Sequence, residues 1–169
     1  NSFINKNILI VGAGSGIGKG LSTALKKSKL FVTYNKSKPL EKYCLNYKLD
    51  LEREKELIKF CSILNIQGTV FDIIYFVGAY TPDNDENQLS ALFSGNFLQS
   101  LFVKFLKINS FAPLFIFQNL FKNNLINKNA KVIFFSSLAG SISNRGKLKH
   151  NLKGGNQFYR ISKSSLNSG

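Results

Sequence analysis

Four glycines in the segment Val11–Gly18 (VGAGSGIG) constrain the fold of this chain more than any other feature. The segment follows an apolar run that predicts a buried strand over Asn7–Val11. It precedes apolar positions four residues apart, which predict a helix over Gly16–Lys27. Glycines at such a turn permit a tight bend, close approach of the backbone to a phosphate, and close packing of helix on strand. The helix start also offers N–H groups to an anion. The sequence therefore predicts a dinucleotide-phosphate site, with a purely structural turn as the alternative; its residues are Gly12, Ser15, Gly16, Ile17 and Gly18.

Short apolar runs alternate with longer amphipathic runs along the rest of the chain. They predict strands over residues 30–34, 46–49, 72–77 and 130–135, and helices over residues 52–64, 97–123 and from Gln157 onward. This alternation favours a parallel α/β sheet. The 169 residues, 44% of them hydrophobic, suffice for one domain with a substantial core. We therefore predict one Rossmann-type domain over residues 1–169, a doubly wound parallel sheet with helices on both faces in three α/β/α layers.

Composition limits the compartment of the protein. Two cysteines, Cys44 and Cys61, do not make a disulfide framework, which favours a reducing compartment. No secretory signal is recognisable near the start of the sequence. The most apolar stretch, residues 101–121, contains two lysines and a proline, so it predicts a buried helix and not a membrane span. We therefore expect a cytoplasmic protein without a membrane partner.

The net charge of +14 raises the question of nucleic-acid binding. The lysines are scattered along the chain, and no recognisable nucleic-acid-binding module accompanies them. We interpret the charge as a solvated basic surface and predict no specific nucleic-acid partner. Binding of nucleic acid stays open as an alternative, and it requires steeply salt-dependent association with DNA.

Tyr159 and Lys163 stand one helical turn apart in the last predicted helix. Residues i and i+4 share a helix face, so the Lys163 ammonium can lie beside the Tyr159 phenol. A tyrosine has an ordinary pKa of about 10, and a neighbouring cation lowers this pKa by favouring the phenolate. Reduction of a carbonyl needs a proton donor beside the carbonyl oxygen in addition to a hydride. With the glycine segment, the pair therefore predicts a nicotinamide-dependent oxidoreductase in which Tyr159 is the acid or base.

Four sequence patterns together resemble the short-chain dehydrogenase/reductase family. The glycine segment is similar to T-G-x-x-x-G-[IL]-G, with Val11 in place of the threonine, and residues 159–163 match Y-x-x-x-K. Residues 134–140 resemble I-S-S-x-x-G, and residues 107–113 (KINSFAP) contain the asparagine of the family's long helix. The resemblance implies an NAD(P)-dependent enzyme that acts on a small carbonyl or alcohol substrate. It also implies the catalytic residues: Asn109, which holds a relay water, Ser137, which hydrogen-bonds the substrate carbonyl, Tyr159 and Lys163.

The segment after the second predicted strand bears on the choice of cofactor. A carboxylate there would accept the ribose hydroxyls of NAD and repel a 2′-phosphate. The sequence has no acid there, and its Asn35 and Lys36 are placed to contact the adenosine end of the cofactor. Because Lys36 can pair with a 2′-phosphate, we prefer NADP to NAD. The alternative is that Lys36 is an ordinary surface lysine.

Other cofactor contacts are implied by the resemblance. Asp50 and Leu51 match the family's adenine contact, with a helix cap as the alternative role of Asp50. Gly78 and Ala79 stand where the family usually has N-N-A-G, so the asparagine that steadies the central sheet is missing. We expect a cofactor-lining loop with altered hydrogen bonding. Tyr159 and Lys163 complete the cofactor-binding set.

A basic insertion, Asn144–Gly155, separates Ser137 from Tyr159. We predict a flexible, solvated loop near the substrate mouth, with a preference for an anionic substrate as the alternative. Its end resembles a family branch with the pattern G-G-x-x-x-Y-R-x-S-K-x-x-L-N. The one histidine, His150, lies in the insertion without a partner cluster, so we predict no metal site.

The resemblance also implies a homodimer or homotetramer. Family members usually pair through the helices that here carry Asn109 and Tyr159. The phenylalanines of residues 102–121 either supply such a face or pack on the chain's own sheet. A non-catalytic dinucleotide-binding regulator of the same fold is the alternative function. We further expect the fold to be incomplete at its carboxyl terminus, because the family continues beyond this helix.

Overall fold

The computed structural model describes residues 3–37, 44–81, 98–143 and 156–169. The chain forms two compact units: Asn1–Gly78 with Phe115–Phe135, and Ala79–Leu114 with Ser136–Gly169. The first unit contains the whole sheet and the glycine segment, whereas the second contains the residues predicted for catalysis. One domain over residues 1–169 therefore stays a prediction. The insertion Asn144–Gly155, including His150, lies outside the described residues.

The first unit is built on a five-stranded parallel sheet with the strand order β3-β2-β1-β4-β5. The chain leaves the central strand β1 in one direction to form β2 and β3, and then crosses to its other side to form β4 and β5. This order confirms the predicted doubly wound parallel sheet. The observed strands are β1 Asn7–Val11, β2 Lys29–Tyr34, β3 Cys44–Lys48, β4 Phe71–Phe76 and β5 Ile126–Phe134.

Four helices accompany these strands in the described ranges: α1 Gly16–Ala24, α2 Glu54–Gln67, α3 Gln99–Lys122 and α4 Gln157–Ser168. Helix α1 ends earlier than its periodicity predicts, because the chain turns at Leu25. Helix α2 runs past its predicted end to Gly68, whose left-handed φ of +61° terminates it. Its first turn carries Glu54 and Glu56, which the helix dipole favours.

Helices of the first unit cover both faces of its sheet. On one face, Leu21 of α1 and Leu25, directly after the helix, pack against a buried cluster that includes Ile8, Ile10 and Val32. The opposite face carries the contact of Phe60 in α2 with Tyr47 and that of Phe117 in α3 with Phe134. Phe60 is 3% exposed, and full burial of a large apolar side chain contributes about 1.5–3 kcal/mol to folding. The sheet therefore lies between helices, as the sequence predicts.

Helix α3 is interrupted by a π-helical turn at Lys107–Phe111, between the α-helical segments Gln99–Leu106 and Ala112–Lys122. The sequence predicts one continuous helix here, because periodicity alone does not reveal an inserted residue. Among the described residues, α3 is the one helix long and apolar enough to cross a membrane, judged by its 24 residues and composition. Only 33% of its most apolar window is buried, and core helices of soluble proteins pass the same test.

Asp72 ties the amino-terminal ends of three strands together. Its carboxylate accepts hydrogen bonds from the Asn7 backbone N–H at 3.0 Å, the Asn127 amide at 3.0 Å and the Lys6 ammonium at 3.4 Å. Asn127 reaches this position because the β4–β5 register shifts between Phe71 and Ile73. The Asn7 N–H, followed by Lys6 and Asn127, lowers the pKa of Asp72 below its ordinary value.

We predict that Asp72→Asn lowers the free energy of unfolding at neutral pH. Since the folded-state pKa lies below the unfolded value of about 3.9, the stabilisation is present above that pH and is lost as the pH falls through the folded-state pKa. Urea unfolding of both proteins at pH 7 and at stepwise lower pH measures the effect. The two stabilities are expected to converge in acid.

The control is Glu52→Gln, which removes a carboxylate outside this cluster. It should leave the difference between neutral and acidic stability close to that of the wild type. A stability loss in Asp72→Asn that stays the same down to pH 2 would contradict the assignment.

Candidate functional site

The glycine segment forms the turn between β1 and α1. Gly12 and Gly16 have φ values of +99° and +51°, in the region that favours glycine. A Cβ added at Gly18 would overlap the Gly12 carbonyl oxygen, so the helix start packs directly on the turn. Ser15 precedes the helix and its side chain makes no capping hydrogen bond, while Ile17 is 59% exposed. The first N–H groups of α1, which lack partners within the helix, are therefore not capped by Ser15.

The backbone of the glycine turn is in direct contact with the backbone at the end of β4. The N–H groups of Val77 and Gly78 both donate to the Val11 carbonyl, at 3.0 and 2.7 Å. A Cβ added at Gly12 would overlap the Gly78 backbone, and one added at Gly78 would lie 2.8 Å from Leu51 Cδ1. The structure thus brings Gly12, Leu51 and Gly78 together. This contact leaves no room for a side chain at Gly12 or at Gly78.

The end of β2 borders the same turn. A Cβ added at Gly14 would lie 2.7 Å from the Ser37 carbonyl oxygen and 3.5 Å from Tyr34 Cβ. Asn35 and Lys36, between these two residues, are exposed. The two side chains predicted to contact the adenosine end of the cofactor therefore lie next to the glycine turn and are accessible.

Asp50 is used locally, but not as a helix cap. One carboxylate oxygen accepts the Glu52 N–H at 3.0 Å, and the other lies 3.5 Å from Arg53 Nε. Arg53 occupies the N-cap position of α2, without a side-chain capping bond. The capping alternative for Asp50 is therefore wrong, and the proposed adenine contact stays a prediction.

In the second unit, Asn109 lies in the π turn of α3 and is 1% exposed. Its amide oxygen accepts the Tyr80 N–H at 2.7 Å, and its amide nitrogen donates to the Tyr80 carbonyl at 2.9 Å. The same nitrogen donates to Ser162 Oγ at 3.0 Å. The side chain therefore clamps the backbone of Tyr80 and connects it to helix α4.

Tyr159 and Lys163 share one face of α4, as the sequence predicts. Lys163 Nζ lies 6.0 Å from the centroid of the Tyr159 ring. Lys163 is only 2% exposed, and burial lowers the pKa of its ammonium group. Tyr159 is half-buried, with Phe105 edge-on to its ring at a centroid distance of 6.5 Å.

Ser137 begins the short 3-10 turn Leu138–Gly140, and its hydroxyl accepts the Ala139 N–H at 3.1 Å. This turn is fixed on α4. The Gly140 carbonyl accepts a hydrogen bond from Ser164 Oγ at 2.8 Å, and a Cβ added at Gly140 would lie 2.8 Å from the Lys163 carbonyl carbon. Ser137 therefore caps a turn, and that turn is held against the helix that carries Tyr159 and Lys163.

Tyr80 and Ser162 are site residues that the sequence analysis did not single out. The Tyr80 ring packs edge-on against Phe105 at 4.9 Å, with Lys104 Nζ 3.8 Å from its centroid. The Ser162 hydroxyl donates to the Tyr159 carbonyl at 2.7 Å. Ser162 lies three residues after Tyr159 and was visible as part of the active-site helix pattern. Nothing local in the sequence indicates the role of Tyr80, because its partner Asn109 is 29 residues away.

The predicted site residues thus fall into two groups. Gly12, Ser15, Gly16, Ile17, Gly18, Asn35, Lys36, Asp50, Leu51 and Gly78 belong to the first unit, and Ala79, Asn109, Ser137, Tyr159 and Lys163 to the second. Across the described ranges, no group of three or more His, Cys, Asp or Glu side chains is placed to hold a metal ion.

Neither a protein-family model nor a curated protein matches this sequence. Solved structures match its fold. A short-chain dehydrogenase/reductase from Burkholderia multivorans with bound NADP is 22% identical, with a TM-score of 0.77 over 97% of this chain and 70% of that one. A short-chain dehydrogenase family protein from Francisella tularensis is 18% identical, with a TM-score of 0.77 over 97% and 60%.

A carbonyl reductase from Pseudomonas aeruginosa is 23% identical, with a TM-score of 0.73 over 96% of this chain and 73% of that one. The present chain thus spans between 60% and 73% of the length of these three structures. At these identities the likeness concerns the fold. This chain has the Rossmann-type fold of the short-chain dehydrogenase/reductase structures.

Proposed function

We propose that this protein is a member of the short-chain dehydrogenase/reductase family. In this proposal it is an NAD(P)-dependent oxidoreductase that interconverts a small carbonyl compound and its alcohol. The observation that carries the proposal is the buried Lys163, whose ammonium lies 6.0 Å from the ring centroid of Tyr159 on one helix face. The fold of the structures solved as dehydrogenases and reductases supports the same conclusion.

Tyr159 is the proposed acid and base. In reduction its hydroxyl gives a proton to the carbonyl oxygen, and in oxidation the phenolate takes the proton from the alcohol. Lys163 is its proposed partner, buried on the same helix face with its ammonium 6.0 Å from the centre of the Tyr159 ring. Ser137 is the proposed hydrogen-bond partner of the substrate oxygen, on a turn held against the same helix.

Asn109 has a proposed double role. Its side chain holds the Tyr80 backbone and Ser162, and both of its amide protons are donated there. A relay water would therefore contact its backbone carbonyl, in a π turn that departs from regular i to i+4 pairing. Ser162 in turn donates to the Tyr159 carbonyl, so Ser162 connects Asn109 in α3 to Tyr159 in α4.

The glycine turn fits a dinucleotide. Gly12, Gly16 and Gly18 provide a compact cradle at the end of β1, and the helix start beyond Ser15 is not capped by that side chain. Lys36 is exposed beside it and suits the 2′-phosphate of NADP, while Asp50, Leu51, Gly78 and Ala79 complete the proposed binding set. When bound, the nicotinamide ring would accept or donate the hydride.

We further propose a cytoplasmic protein that pairs through α3 and α4. Phe105 is fully buried in its own unit, so this ring packs within the chain. By contrast, Phe111 is 44% and Phe121 is 68% exposed, which leaves apolar surface on α3 for a second copy. These exposed rings make α3 the surface at which the pairing should be tested in solution.

We predict that Tyr159→Phe lowers kcat by about 10²–10⁴-fold, because the general acid and base is lost. The ring that packs against Phe105 is retained, so the dissociation constant for NADPH should change little. Steady-state kinetics on a panel of carbonyl compounds and fluorescence titration of NADPH measure the two quantities.

Tyr47→Phe is the matched control, because it removes a phenol hydroxyl that bonds Gln67 in the first unit. Its turnover should equal that of the wild type. Normal turnover in Tyr159→Phe would contradict the proposed mechanism. If the wild-type protein binds NADPH tightly but oxidises it with none of the carbonyl compounds in the panel, the non-catalytic regulator is favoured.

We predict that Lys36→Ala weakens NADPH binding about tenfold and leaves NADH binding nearly unchanged, because only NADPH carries the 2′-phosphate that the ammonium pairs with. Titration of both nucleotides measures the ratio of their dissociation constants. Lys26→Ala, at an exposed lysine after α1, is the control and should preserve that ratio. An equal loss for both nucleotides would argue against recognition of the 2′-phosphate.

We predict that Phe121→Ser shifts a dimer or tetramer toward smaller species, because it places a hydroxyl in the apolar contact. Size-exclusion chromatography with light scattering at several concentrations of the intact protein measures the shift. Ile66→Ser on α2, where the side chain is 83% exposed, is the control and should not alter the mass. A wild-type protein that is monomeric at every concentration would contradict the pairing.

A further inference from the structure

Thr33 lies at the carboxyl end of β2 and is 1% exposed. Its hydroxyl oxygen accepts the backbone N–H of Gly12 at 2.9 Å. Its own carbonyl accepts the N–H of Ala13 at 2.7 Å. One buried residue of the neighbouring strand therefore binds two consecutive N–H groups at the beginning of the glycine turn.

These two bonds act where the turn has the greatest conformational freedom. Gly12 adopts a left-handed φ of +99°, and a glycine samples many other backbone conformations at little cost. The approach of Gly12 to the Gly78 backbone leaves no room for a side chain that would restrict it. Val11 contributes only its backbone carbonyl to this region, to Val77 and Gly78. The Gly12 N–H is held instead by the Thr33 hydroxyl from β2.

The bonds also direct the remaining N–H groups. The Gly12 and Ala13 N–H groups point toward β2, because Thr33 accepts both. The N–H groups that begin α1 lie further along the turn, and the Ser15 side chain does not cap them. An anion at the turn would therefore meet the helix start and not the strand end.

We propose that Thr33 is a positioning residue for dinucleotide binding, which holds the first half of the glycine turn so that the start of α1 faces the pyrophosphate. The inference rests on the proposed function of the turn, and it adds a determinant of affinity outside the glycine segment. Thr33 itself does not contact the cofactor in this proposal. Its effect should therefore appear in cofactor affinity and in the protection of the Gly12 amide, with kcat at saturating cofactor changed little.

The test compares three variants of the intact protein. Thr33→Val keeps the shape of the side chain and removes the acceptor, whereas Thr33→Ser keeps the acceptor and removes the methyl group. Ser28→Ala is the matched control, because the Ser28 hydroxyl donates a partly buried bond of 2.6 Å to the Phe3 carbonyl just before the opposite end of β2. Titration measures the NADPH and NADH dissociation constants, NMR measures amide exchange of Gly12 without nucleotide, and thermal unfolding measures Tm.

We expect Thr33→Val to weaken nucleotide binding about tenfold and to speed exchange of the Gly12 amide, because a partly buried donor loses its partner. Thr33→Ser should restore both values to near those of the wild type. Ser28→Ala should lower Tm without altering the dissociation constants. Unchanged affinity in Thr33→Val, or equal losses in Thr33→Val and Thr33→Ser, would overturn the role of Thr33.

The exchange measurement separates this inference from the proposed function. If the wild type binds neither nucleotide, both the oxidoreductase proposal and the cofactor role of Thr33 are overturned, whatever the amide shows. If the wild type binds NADPH and the Gly12 amide of Thr33→Val exchanges no faster, only the positioning role fails.

Discussion

The backbone of the turn after β1 contacts the backbone at the end of β4, and the shape of the glycine turn depends on this contact. A side chain at Gly12 would overlap Gly78, and one at Gly78 would strike Leu51. The Val11 carbonyl binds the N–H groups of both Val77 and Gly78, so the two strands stay joined beyond their regular pairing. The turn can therefore be placed accurately although it consists mostly of glycine. Thr33 adds a second constraint from β2, so the turn is held from both of the strands that flank β1.

The second unit depends on a buried polar network of a different kind. Asn109 satisfies both backbone groups of Tyr80 and reaches Ser162, which holds the Tyr159 carbonyl. A buried polar group that loses its partner costs free energy of folding. Each member of the network therefore fixes the position of the next. The Tyr159 ring rests against Phe105, and Lys163 is buried on the same helix face. The proton transfer that we propose for Tyr159 would benefit from this rigid support.

Most of the sheet was predictable from local patterns, because apolar strand runs and glycine turns are encoded in adjacent residues. The doubly wound parallel class was predicted from the alternation of strands and helices, whereas the strand order was not. The predictions that were wrong concern element boundaries and the interruption of α3, and the start of β5 depends on a residue distant in the sequence. Strand β5 begins at Ile126 because its irregular register brings Asn127 to Asp72. The π turn at Lys107–Phe111 and the end of α1 at Ala24 likewise left no mark on the periodicity.

The amino-acid sequence by itself determined the α/β class, the strand–glycine–helix turn and the placement of Tyr159 and Lys163 on one helix face. These features rest on spacings of a few residues, which the backbone geometry of a helix or strand converts directly into position. Only the tertiary structure decided that Thr33 holds the glycine turn, that Asn109 clamps Tyr80, and that Asp50 does not cap a helix. Each of these depends on which backbone groups are left to be satisfied once strands and helices have packed, and no local pattern contains that information.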